Sequence, residues 1–229
     1  MFLHGYGGQI LDGTWETIKL ALLSLVVAFL LGLIGASAKL FGNFLFKGVA
    51  QAYTTLVRSV PDLVLMLLIF FSIQMGLNNI TDALGLPMLE IDPFVAGVLT
   101  IGFIYGAYFA ETFRGAFLAV PKGQLEAGKA FGMSNRQVFS RILFPQMMRF
   151  ALPGIGNNWL VLLKATALVS IIGLSDLVLV TQTAGRATSS MFLFIAVAGL
   201  IYLMLNTISS VILWWLEKKY CVGFREAHF

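Results

Sequence analysis

The sequence predicts an all-α integral membrane protein with five transmembrane helices, and three observations carry that prediction. Of its 229 residues, 59% are hydrophobic and 11% are charged, about half the charged share of an ordinary soluble domain. Five apolar runs approach or reach the roughly 20 residues needed to cross the hydrocarbon layer. Twelve of the fifteen Lys and Arg residues fall in segments that would share one side of the membrane, the asymmetry that sets orientation in bilayers.

The first run covers 18–38, interrupted only by Lys19 near one end, where the aliphatic stem can snorkel outward. Lys19 is the first cation of the chain, so no basic stretch precedes this run and a cleaved signal peptide is not expected. The second run, 63–77, is uncharged but too short to span. It is expected to extend back through Arg58, Ser59, Val60, Pro61 and Asp62. The third covers 94–120, with Glu111 and Arg114 in its final part. The fourth, 150–174, is broken only by Lys164, and the fifth, 191–216, holds no charge.

Residues 1–12 and 78–93 contain no Lys or Arg, although the second stretch holds Asp82, Glu90 and Asp92. The opposite side collects Lys39, Lys47 and Arg58, then Arg114, Lys122, Lys129, Arg136, Arg141 and Arg149, and finally Lys218, Lys219 and Arg225. The N-terminus is therefore expected outside and the C-terminus inside. This topology accounts for the net charge of +4 without a nucleic-acid partner, which would need cations gathered on one exposed face. A single cysteine, Cys221, excludes an internal disulfide, and its position near the end of the last helix makes it a bystander. His4 and His228 lie at opposite ends, so no metal site is expected. No nucleophile-and-base constellation marks an enzyme.

The one sizeable hydrophilic stretch is 121–145, on the inner side, and its grammar is that of two short helices. Pro121 suits a first helical turn and Gly132 suits a helix end. Ser134 and Gln137 have the spacing of a capping box. Leu125, Ala127, Gly128 and Phe131 give the first helix an apolar, partly small-residue side, which in the cytosol wants a protein partner.

Within this stretch Glu126, Ala127, Gly128, Gly132, Ile142 and Pro145 follow the spacing E-A-A-x3-G-x9-I-x-L-P. The pattern resembles the cytoplasmic coupling loop of bacterial binding-protein-dependent ABC importers. Two positions depart from it, Gly128 for the third-place Ala and Phe144 for the Leu, both conservative in size or apolarity. The phrases 111–115, 120–123, 145–146 and 152–154 resemble the polar amino-acid permease branch, over essentially the whole chain. They are similar to the Q-type membrane subunits of histidine and lysine–arginine–ornithine importers. The resemblance implies a five-helix type I ABC importer permease in the bacterial inner membrane, its N-terminus periplasmic and its C-terminus cytoplasmic. It implies one domain, 1–229, with 121–145 inserting into a groove on a separate ATPase. The other partners implied are a second homologous permease, a pair of ATPase subunits, a periplasmic binding protein and lipid. No G-x4-G-K-S/T loop occurs, so ATP and Mg are expected on the partner ATPase and no cofactor on this chain.

Ionisable groups at membrane depth are costly and are functional candidates by default. Glu111 and Arg114, three apart, can pair on one helix face, and the resemblance implies a structural role for them. Asp62 is open to two readings: a pair with Arg58, or contact with cationic cargo. Asn158, Thr166, Ser170 and Asp176 complete the expected substrate path, and Pro153, Gly154 and Gly156 permit close packing or a local break. In basic amino-acid relatives the positions matching Asn158 and Ala165 tend to be acids. Their absence implies that a paired permease supplies the main carboxylate. Lys164 is expected near the outer end or paired with Asp176. The rival reading, a stand-alone channel or proton-coupled amino-acid carrier, leaves the loop pattern unexplained.

Overall fold

The computed structural model describes residues 2–220, so Cys221, Arg225 and His228 lie outside the described residues. Lipid offers no hydrophobic force between helices, so close packing must hold them together. Helices α1 (Gly7–Phe41) and α4 (Pro93–Ala119) make the central pair on that principle. A Cβ at Gly32 would stand 2.5 Å from the Phe109 Cβ, and one at Gly102 would stand 2.5 Å from Val27 Cγ1. Small residues on each helix thus admit large ones from the other. Phe109 and Phe113 are fully buried there, and the Phe29 ring meets Phe113 edge-on with centroids 4.8 Å apart.

Around this pair, α7 (Phe144–Ala165) covers another side of α4, and α8 (Leu177–Ala187) fits between α1 and α9 (Met191–Tyr220). α3 (Asp62–Ala83) leans on α4 and directs most of its surface outward, as α9 does. Exposed Leu68, Phe71, Leu203 and Trp214 suit hydrocarbon rather than water. Five helical segments are long and apolar enough to cross a membrane: Gly7–Phe41, Asp62–Ala83, Pro93–Ala119, Asn135–Ile172 and Met191–Lys219.

Three boundaries differ from the sequence expectation. The second span runs forward from Asp62 to Ala83, not back through Arg58. Val60 is extended and Pro61 has no N–H to continue the ladder, so the chain breaks there. The preceding residues form a separate helix, α2 (Phe44–Ser59), capped by the Asn43 side chain accepting from the Phe46 amide at 3.0 Å. Its buried side is Ala50, Thr54 and Val57, spaced for one face against α1 and α4. The inner loop also holds one free-standing short helix rather than two. α5 (Lys122–Ala130) ends as expected, but α6 (Asn135–Val138) flows without a break into α7. Pro145 leaves the Arg141 carbonyl without an α-helical donor. The ladder widens into a π turn over 139–143, with the Phe144 amide bonded to the Phe139 carbonyl. Beyond α7 a 3₁₀ segment, Thr166–Ile172, ends at Gly173 with φ +96°.

Candidate functional site

The inner loop is pinned at both ends. Gly132 sits at φ +78°, the left-handed geometry glycine accepts without strain. The Met133 amide returns to the Gly128 carbonyl at 3.1 Å and the Gly132 amide to Lys129 at 2.9 Å. The expected capping box forms. The Ser134 amide donates to Gln137 Oε1 at 2.9 Å, and the Gln137 amide donates to Ser134 Oγ at 3.4 Å. Gly128 is buried because Ile142 fills its place: a Cβ would lie 2.5 Å from Ile142 Cδ1 and 3.4 Å from Val138 Cγ2. The spaced motif therefore brings Gly128 and Ile142 together, while the side chains of Gln124 and Gln146 tie α5 to α7. Glu126, Ala127 and Pro145 are exposed. Phe131 caps α5 and is 85% exposed. The sequence reading placed Phe131 on an apolar side without seeing that it projects.

A second ionic cluster lies where α2, α1 and α4 meet. Glu111 takes Lys39 on one oxygen and the Arg114 Nε on the other, the latter at 2.9 Å. Lys39 also donates to Gln51 Oε1 at 2.9 Å and to Thr54 Oγ1 at 2.5 Å. The expected Glu111–Arg114 pair is present, and Lys39 is the partner that sequence spacing could not supply. Its Nζ is buried with little water, so one carboxylate shared between two cations neutralises a costly group.

Asp62 opens α3 beside Tyr105, whose hydroxyl donates to Asp62 Oδ2 at 3.0 Å. Tyr105 lies roughly midway along α4, ~18 Å from its start at ~1.5 Å per residue. Tyr105 and Tyr108 stack with centroids 5.5 Å apart, and Arg58 lies over the Tyr108 ring at 5.5 Å. No ion pair joins Arg58 to Asp62 among the described residues.

The other four expected path residues do not gather with Asp62. Asn158 is buried and donates to Thr112 Oγ1 at 3.0 Å, where Gly154 packs against the same threonine. Thr166 is buried between the Leu163 carbonyl at 2.7 Å and the Tyr202 hydroxyl at 3.2 Å. Ser170 donates to the Ala167 carbonyl. Asp176 is 0% exposed and caps α8, accepting from the Leu179 amide at 2.9 Å. Lys164 does not pair with it and stands exposed one residue before the end of α7. Pro153 interrupts no helix; the break falls later, in the 3₁₀ segment.

Helices that span, a loop that presents a shaped face, and no constellation for bond chemistry define a membrane component of a transport system. The chain belongs to the family "Binding-protein-dependent transport system inner membrane component", whose profile matches residues 28–221. It is 58% identical over 225 residues to the "Histidine/lysine/arginine/ornithine transport system permease protein HisQ" of Salmonella typhimurium, covering 98% of this chain and 99% of that one. It is 38% identical over 216 residues to the "Arginine ABC transporter permease protein ArtQ" of Escherichia coli (strain K12), covering 86% and 88%. Among solved structures it resembles that of "an amino acid ABC transporter with histidines", with a TM-score of 0.79 at 30% identity over 93% of this chain and 95% of that one. A chain of the MetNI methionine ABC transporter shares the fold, with a TM-score of 0.68 at 18% identity over 92% and 95%.

Proposed function

We propose that this chain is one of two homologous, non-identical permease subunits of an ATP-driven importer for basic amino acids. The observation that carries the reading is the 58% identity along 98% of the chain to a permease named for histidine, lysine, arginine and ornithine. A cationic side chain leaving water needs an anion to meet it, and Asp62 holds a carboxylate at mid-membrane depth with only a tyrosine hydroxyl bonded to it. We assign cargo contact to Asp62. Asn158, Thr166, Ser170 and Asp176 support the path from behind, through helix contacts. With no acid at Asn158 or Ala165, the stronger cation site falls to the partner permease.

In the same reading 121–145 is the coupling loop of a single domain. Glu126, Ala127 and Phe131 meet the ATPase, while Gly128, Gly132, Ile142 and Pro145 shape the face. A pair of ATPase subunits holds ATP and Mg, and a periplasmic binding protein delivers cargo. The N-terminus is periplasmic and the C-terminus cytoplasmic, following the distribution of basic residues.

Reconstitution tests the reading. This chain, the second permease, the ATPase and the binding protein should import labelled arginine and lysine, with uptake resistant to excess glutamine. Omitting the second permease should abolish uptake, and Asp62→Asn should reduce it several-fold with assembly intact. Full uptake by this chain and the ATPase without the second permease would establish a homodimer instead, and unchanged uptake in Asp62→Asn would remove Asp62 from the path.

A further inference from the structure

Between the end of α1 and the first turns of α2 the chain builds a basic recess of about 450 Å³, lined by Lys39, Phe44, Lys47, Gly48, Gln51 and Arg114. Lys39 and Arg114 are held in place by sharing Glu111. One carboxylate between two cations leaves positive charge uncompensated. Lys47 adds a third cation and pairs with no acid among the described residues. Gly48 keeps the recess open, since a Cβ there would meet nothing within 4 Å.

The recess lies at the ends of two membrane helices. Phe41 is the last residue of α1, and its ring meets that of Phe117, near the end of α4, edge-on at 6.5 Å. Beside the cations stand Phe41, 75% exposed, and Phe44, 94% exposed. A cationic hollow flanked by outward aromatic rings at helix-end level has the chemistry of a headgroup seat, with phosphate below and acyl chain alongside. A soluble protein partner would gain the charges but leave the aromatic side uncovered.

We propose that this recess binds the phosphate of an anionic phospholipid of the cytoplasmic leaflet, whose acyl chains lie along Phe41 and Phe44. Lys47 is the cation free to close on the phosphate, and Arg114 offers its terminal guanidinium nitrogens because Nε alone is given to Glu111. The assignment to the cytoplasmic leaflet rests on the orientation proposed above.

Native mass spectrometry of the detergent-purified transporter complex, exchanged into phosphatidylglycerol or phosphatidylcholine micelles, tests the proposal. Phosphatidylglycerol should remain bound to the complex and phosphatidylcholine should not. Lys47→Gln should weaken that retention about fivefold, the scale of one cation near an anionic headgroup. Lys47→Arg should restore it, and Lys218→Gln, which removes a cation beside Trp214, should leave it unchanged. Equal losses from Lys47→Gln and Lys218→Gln would overturn the proposal in favour of diffuse leaflet attraction. So would equal retention of both lipids, or a photocrosslinker at position 47 that captures the ATPase instead of lipid. A reversed orientation would leave these measurements unaltered and would appear separately, in labelling of position 135 from outside.

Discussion

Asp176 gives one carboxylate oxygen to the Leu179 amide, while the other is buried with no protein partner. Burial raises its pKa from 3.8 to about 6, and the capping amides, which favour the charged form, do not overcome it. The folded chain therefore holds this proton more tightly than the unfolded chain. The stability this adds is fully present below about pH 4 and is lost as pH rises through about 6. Asp176→Asn keeps an acceptor for Leu179 and deletes the charge. In detergent, the wild-type Tm should fall between pH 5 and pH 8, whereas the variant should change less and melt higher at pH 8. A wild-type Tm that climbs across that range would contradict the assignment. The sequence reading took Asp176 for a path residue, although an Asp just before an apolar helical stretch is also a start signal. Spacing along the chain could not tell a carboxylate facing cargo from one folded under Thr17 and Tyr202. That choice depends on contacts from α1 and α9, far away in sequence.

At the scale of elements, glycine chemistry was legible and continuity was not. Gly132 was expected at a helix end and lies there in the left-handed region. A side chain at Gly132 would meet nothing, so Gly132→Val should act through backbone strain of about 1–2 kcal/mol and not through a clash. Substrate-stimulated ATP hydrolysis should collapse while membrane insertion stays normal, and Gly132→Asn should keep more of it because Asn tolerates this geometry. Wild-type coupling in Gly132→Val would sink the docking role of the loop. The capping box at Ser134 was also readable, because its signal is local. Pro145 misled: it suggested a second short helix, yet it sits in the first turn of α7 and only widens the ladder ahead of it. α2 went unseen because Lys47, Gln51 and Arg58 interrupt its apolar residues, and a search for unbroken runs passes over a helix buried on one face.

For the whole molecule, five spans were countable because hydrocarbon thickness sets a length that any sequence must meet. Their packing was less accessible, since the α1–α4 core rests on small residues meeting large ones across about 70 residues of chain. Orientation is testable in a background lacking Cys221. A cysteine at position 85 should react with an impermeant reagent from the outside, and one at position 135 should react only after permeabilisation. The reverse pattern would invert every assignment of side. The unbroken helical run from Asn135 to Ile172, 38 residues, has a mechanical meaning. On one flank the loop joins α4 through the extended residues Val120 and Pro121, a compliant tether. On the other it continues into a single stiff shaft about 55 Å long. A push on the loop is therefore delivered along α7 with little slack, and α4 can stay still while its neighbour is driven.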